Sequence, residues 1–176
     1  NTGLDWGSPF LTLGKAVQQA LGGDTVLVSN GLYETTTNIQ LNKPVHLRSV
    51  NGPEVTTVRS TDATNHRIFE INGAEASLSG FTIANGRLSS SYGAGVLMTG
   101  GVVSNCILSA NTVASRGGGV YCEGGLVTHC RFYENSADYG GGIYCTAGRI
   151  SNCHFERNGG NYGSAITLRS GARLED

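Results

Sequence analysis

"GGGVYCEGGLVTHCRFYEN" runs from Gly117 to Asn135, and "GGGIYCTAGRISNCHFERN", Gly140 to Asn158, repeats its pattern. Four cysteines and two histidines at matched positions admit a metal site, disulfides, a redox centre or the rungs of a repeating structure. The flanking sequence decides among these. Gly95, Gly119, Gly142 and Ala165 are separated by 24, 23 and 23 residues, and Cys106, Cys130 and Cys153 by 24 and 23. Asn111, Asn135 and Asn158 keep the interval, as do Leu108, Phe132 and Phe155. A fixed period in the twenties marks a solenoid. Each unit holds short strands between glycine bends, with no helical segment and without the L-x-x-L-x-L-x-x-N frame of leucine-rich repeats. The spacing therefore predicts an all-β solenoid.

Composition agrees. Charged residues make up 14% of the 176-residue chain, against roughly 25% in an average soluble protein. Glycine supplies 27 residues and proline only 3, without a G-X-Y period. That is a turn-rich β protein and not collagen. The net charge is −1, and no basic stretch interleaves with aromatics, so nucleic acid is not an expected partner. No apolar run approaches the ~18 residues of a membrane span, so no membrane insertion is expected. The chain starts at Asn1 without methionine or signal peptide and closes on "ITLRSGARLED", a coil just begun. It is expected to belong to something longer, and its uncapped last turn to be continued or to self-associate.

Three stretches divide the chain. Residues 1–23 carry Phe10, Leu13, Ala16, Val17, Ala20 and Leu21 at helical spacing, with Thr12 or Ser8 as N-cap and Gly22 and Gly23 as the stop. Residues 24–92 read as irregular first turns, with strands at 26–28, 39–41, 45–47, 55–58, 68–71 and 78–83. Residues 93–176 form the regular turns of one continuous domain.

The paired "GGGVYC…THCRFYEN" and "GGGIYC…SNCHFERN" blocks resemble the right-handed parallel β-helix repeats of the pectin-lyase-like superfold. "SPFLTLGKAVQQALGGDTVLVSNGLYE" is similar to that family's opening, and "ASLSGFTIANG" to one of its coils. The resemblance implies a right-handed parallel β-helix closed by an N-terminal capping helix. It says less about activity, because the superfold hosts lyases, hydrolases, esterases, adhesins and surface proteins.

In such a helix, successive turns stack ~4.8 Å apart and equivalent residues form columns. The expected inward columns are Cys106/Cys130/Cys153, Leu108/Phe132/Phe155, Val120 with its equivalents, and Met98/Cys122/Cys145/Leu168. Tyr121 is expected outside. Asn111, Asn135 and Asn158 should hydrogen-bond along a corner. Thiols that grade into Met, Leu and Phe along a column behave as hydrophobes, with a disulfide between neighbouring turns as the alternative. The CxxC pair usual in structural zinc sites is missing, so neither metal nor cofactor is expected. His129 reads as a polar corner and His154 as solvent-facing.

Two outward sets remain as candidate sites. Tyr92, Arg116, Tyr139 and Tyr162 precede the glycine bends at intervals of 24, 23 and 23 and would suit an extended polysaccharide, or else only shield the turns. Tyr121 and Tyr144 form a second pair. Glu134 and Glu156 lie diagonally on neighbouring turns beside Tyr133, Arg157 and His154. Two carboxyls ~5–9.5 Å apart are what a glycosidase needs, whereas the simpler reading of the pair is a surface Glu134–Arg157 ion pair. Family lyases hold calcium with acids on neighbouring turns, whereas no acid in these regular turns stacks on another. The expected function is a secreted or cell-surface scaffold or binding domain for polysaccharide. The alternative is a polysaccharide lyase or glycoside hydrolase using Glu134 and Glu156.

Overall fold

A computed structural model describes residues 2–61 and 65–175. The chain winds into a parallel β-solenoid of about six turns, with a single short helix at its N-terminal end. All strand pairing among the described residues is parallel.

The helix spans Leu13–Gln19 and buries Leu13, Ala16 and Val17, the i, i+3, i+4 set, over the first turn. The Thr12 hydroxyl accepts from the Lys15 amide at 3.2 Å and caps it. Ser8 instead belongs to a turn in which Asp5 Oδ1 accepts from the Gly7 and Ser8 amides, each at 2.9 Å. The stop falls at Ala20, ahead of the two glycines, where the Lys43 ammonium donates to the Gln18 and Ala20 carbonyls. Leu21 therefore lies outside the apolar stripe and is 72% exposed.

Each full turn contributes four extended segments. In the best-formed turn these are Val120–Cys122, Leu126–Thr128, Arg131–Tyr133 and the residues around Ser136. The first two belong to one eleven-stranded sheet, whose two limbs merge in the long strand Ile143–Ser151. The third belongs to a six-stranded sheet. The fourth continues a two-stranded sheet built from Arg87–Leu88 and Thr112–Val113. Sharp corners separate them. Asn105, His129 and Asn152 hold positive φ at one corner and Ala110, Glu134 and Arg157 at the next, so each corner turns on a single left-handed residue. The stretch expected as one strand over 78–83 is two, Ser77–Ser79 and Thr82–Ala84, because Gly80 turns it at φ +82. A β-carbon there would lie 2.4 Å from Ser49 Oγ.

The core is a set of in-register columns. Val96, Val120, Ile143 and Ile166 pair in sequence, as do Met98, Cys122, Cys145 and Leu168. Leu108 aligns with Phe132 and Phe132 with Phe155, the two rings stacking at 4.8 Å and 10°. Most of these side chains are fully buried, each contributing ~1.5–3 kcal/mol. Columns of like residues spread that burial evenly along the axis.

Asn111 and Asn135 are wholly buried, and their amides run along the axis as expected. Asn111 Nδ2 donates to Asn135 Oδ1 at 2.9 Å and to the Ile83 carbonyl at 2.9 Å. Asn135 Nδ2 repeats this with Asn158 Oδ1 at 3.0 Å and the Leu108 carbonyl at 2.8 Å. The ladder satisfies polar groups that a sharp buried corner would otherwise leave bare.

Candidate functional site

The residues that precede the glycine bends align as the period requires. Tyr92 bridges Arg116, Arg116 bridges Tyr139, and Tyr139 bridges Tyr162, each as a parallel pair. Beside them, on the outer face of the eleven-stranded sheet, a second column runs Gln40, Glu70, Leu97, Tyr121, Tyr144, Thr167. Strand alternation turns these side chains away from the core.

The two columns do not stand apart. The Tyr92 ring stacks on Tyr121 at 4.6 Å, and Tyr121 on Tyr144 at 5.4 Å with 3° between planes. Tyr139 stacks on Tyr162 at 4.6 Å and meets Tyr144 edge-on at 6.5 Å. The Arg116 guanidinium is 5.3 Å from the centroids of both Tyr92 and Tyr144 and 5.9 Å from that of Tyr139. Arg169 Nε donates to the Tyr144 hydroxyl at 2.8 Å. Five tyrosines and two arginines thus form one wall.

This corrects the expectation for Tyr121 and Tyr144. Both face outward, yet they are only 5% and 2% exposed, because the Tyr92 and Tyr139 side chains and Arg116 cover them. Burial, followed by the nearby Glu123 carboxylate, pushes the Tyr121 hydroxyl above its ordinary value. Tyr162, at 61% exposure, is the open member. Ring faces are largely spent on one another. What the wall offers outward is ring edges, hydroxyls and guanidinium groups. Neither Arg116 nor Arg169 has a carboxylate in ion-pair contact among the described residues. Arg169 was not legible beforehand, since its column carries no repeated residue type.

Glu134 and Glu156 are brought together, with Arg157 between them. Arg157 Nε is 3.5 Å from Glu134 Oε1, and its terminal nitrogen is 3.4 Å from Glu156 Oε1. The same guanidinium lies 4.3 Å over the Tyr133 ring and donates to the Tyr133 hydroxyl. All three charged side chains are more than half exposed. Their geometry is that of a solvated charge cluster, worth ~0–1 kcal/mol per pair. His154 is exposed on the neighbouring column, in register with Arg131.

The five cysteines are free thiols, four of them buried and Cys153 partly so. Contacts with Cys106 and Cys153, and then burial, hold the Cys130 thiol well above its ordinary value. Contact with Cys145, and then burial, do the same to Cys122. The shared contact pulls Cys145 down. Both thiols lie in an apolar stack, and burial, which opposes any thiolate, sets the upward direction for the pair. Among the described residues no group of three or more His, Cys, Asp and Glu side chains is placed to hold a metal ion. No helix among them is long and apolar enough to cross a membrane.

No curated protein and no solved structure matches the chain. Its sequence does match the right-handed β-helix region family over residues 45–176. Those residues build every turn after the first, which is well over half the chain, so the protein belongs to the right-handed β-helix family.

Proposed function

We propose that this domain is a binding scaffold for polysaccharide, displayed outside the cell, with the tyrosine–arginine wall as its contact strip. The observation that carries the reading is the stacking of Tyr92, Tyr121 and Tyr144 around Arg116. Packing of this kind holds the groups rigid before any ligand arrives, which lowers the ordering cost of binding. The wall is cationic and rich in phenolic hydroxyls, and it runs along the axis. A linear glycan bearing carboxylates complements it, with guanidinium groups meeting the acids and hydroxyls meeting the sugar. The low overall charge content, 14% of the chain, favours selectivity over general adhesion.

The test is a glycan array with carboxylated and neutral linear polysaccharides, read for the intact chain and for Tyr139→Ala combined with Tyr162→Ala. Carboxylated glycans should bind, and the double variant should lose at least tenfold in affinity. Binding that survives both substitutions removes the wall from the function.

A further inference from the structure

Five cysteines and one methionine carry all the sulfur in the chain, and every one of them lies in one of two inward columns. Met98, Cys122 and Cys145 pair in register on the eleven-stranded sheet. Cys106, Cys130 and Cys153 stand at the edge of the six-stranded sheet, each one residue ahead of the paired Ile107, Arg131 and His154. The same three turns build both columns. Val, Ile, Leu and Phe fill the neighbouring inward positions.

The cysteine column repeats one rotamer three times. Cys106, Cys130 and Cys153 each place Sγ 3.2 Å from the carbonyl oxygen two residues earlier, on Ser104, Thr128 and Ser151. Each Sγ also lies 3.8–3.9 Å from a carbonyl oxygen of the preceding turn, on Leu78, Val103 and Val127. Identical placement in successive turns carries one sulfur onto the next by the axial rise alone. The three Sγ atoms therefore stand in a line, ~4.8 Å apart.

That spacing selects among the things three thiols can do. A disulfide needs sulfurs at ~2.05 Å, under half the rise. Zinc needs four ligands around a tetrahedron, and a straight column presents only two sulfurs to a point between its rungs. A cation that takes two ligands in line needs no more than this. Two metal–thiolate bonds of ~2.3 Å laid end to end span ~4.6 Å, close to the rise. Soft sulfur ligands favour Cu(I), a closed-shell cation for which linear two-coordination is ordinary. Each cation that binds displaces one proton, so ion and thiols together keep the neutrality that an apolar stack demands. No electron is transferred, because the copper arrives already reduced. Cys106 and Cys130 are buried, whereas Cys153 is partly exposed and gives a way in.

We infer that the Cys106/Cys130/Cys153 column is a linear two-coordinate site for Cu(I), filled first between Cys130 and Cys153. The site is distinct from the tyrosine–arginine wall and does not depend on glycan binding.

Anaerobic competition of the intact chain against bicinchoninate-bound Cu(I) tests it. The protein should take Cu(I) from the chelator, and X-ray absorption should show two sulfur scatterers and no nitrogen. Bound Cu(I) should shield Cys153 from maleimide, with the labelled peptides identified by mass, while equimolar Zn(II) should not. Changes outside the ligand shell alone cost metal sites about 10–100-fold, so Cys130→Val should weaken Cu(I) binding at Cys153 at least about tenfold and abolish the shielding. Cys122→Val, in the other column, should leave the shielding unchanged. Thermal melts check that each variant folds. Should Cys130→Val not fold, Cys153→Ser at the partly exposed rung decides, and it should lose the same affinity. The inference is overturned if the chelator keeps the copper, if Cys153 labels as fast with copper bound as without, or if Cys130→Val, or Cys153→Ser in its place, binds like the parent. Nitrogen scatterers around the copper, the mark of a surface histidine, or equal shielding by Zn(II) would overturn it as well.

Discussion

Asn135 Oδ1 accepts two hydrogen bonds from Asn111, one from its backbone amide at 3.1 Å and one from its side-chain Nδ2 at 2.9 Å. Asn135 in turn donates from both its backbone amide and Nδ2 to Asn158 Oδ1, at 3.0 Å each. One side chain therefore satisfies groups on the turns to either side. Asn135→Leu, close in volume, strands the Asn111 amide and the Leu108 carbonyl in a buried corner. At ~1–3 kcal/mol for each unsatisfied group, it should cost about 3 kcal/mol or more in urea unfolding. A loss below 1 kcal/mol would mean the ladder is ornamental.

The glycine bends are tight for a second reason besides φ. A β-carbon on Gly119 would lie 2.6 Å from the Gly142 carbonyl oxygen and 2.9 Å from Phe132 Cδ1. The obstacle includes backbone of the next turn, which cannot move without separating the stack. Gly119→Ala should cost ~1–3 kcal/mol, as overpacked cores do. Gly23→Ala, where no atom lies within 4 Å but φ is +91, isolates the dihedral penalty for comparison. Equal thermal shifts for the two would refute the steric account.

Thiol titration should couple to stability. The folded pKa of Cys122 and of Cys130 is raised, so the folded state keeps protons that the unfolded chain begins to lose at about pH 8.5. The contribution of these two thiols is then fully present below about pH 8.5 and is lost as pH rises above it, by up to ~1.4 kcal/mol per unit for each, while the lowered Cys106 and Cys153 act in the opposite sense. Cys122→Val should flatten part of that slope. A maleimide probe should label Cys153 first, since it alone is incompletely buried.

Arg116 is held by the rings of Tyr92, Tyr139 and Tyr144. Arg116→Met keeps the stem and removes the charge, and should destabilise the fold by ~1–2 kcal/mol through lost cation–π contacts. The same variant should weaken carboxylated-glycan binding more than it weakens neutral-glycan binding. Equal losses on both would show that the guanidinium only packs.

The Glu134–Arg157–Glu156 cluster predicts little for stability and gives a clear assay for chemistry. Glu134→Gln should change unfolding free energy by less than about 1 kcal/mol. Incubation with a polysaccharide panel, followed for reducing ends and unsaturated products, should show no turnover. Turnover abolished by Glu134→Gln would replace the scaffold reading with a hydrolase.

Much of this architecture is legible in residue order alone. The interval of 23–24 residues places Val120 under Ile143 and Phe132 under Phe155, because a solenoid converts sequence distance directly into axial stacking. The same arithmetic finds the asparagine ladder and the Tyr92–Arg116–Tyr139–Tyr162 stripe. The inner column Leu88, Val113, Ala137 and Gly160 was equally available, since its residues follow at 25, 24 and 23. It escapes notice because its residues differ in type, and a column that shrinks does not look like a repeat.

Periodicity in the sequence determined which residues stack along the axis, and hence the fold and its columns. It carried no information on how far apart two columns lie around the circumference. That distance depends on the corner dihedrals at residues such as His129 and Glu134 and on the bends through the glycine triplets. Only the tertiary structure brings the Tyr121–Tyr144 column against the Tyr92–Tyr139 stripe, burying two tyrosines that strand alternation alone would leave in water. Axial neighbours are covalently counted, whereas lateral neighbours are set by the angles of the turn.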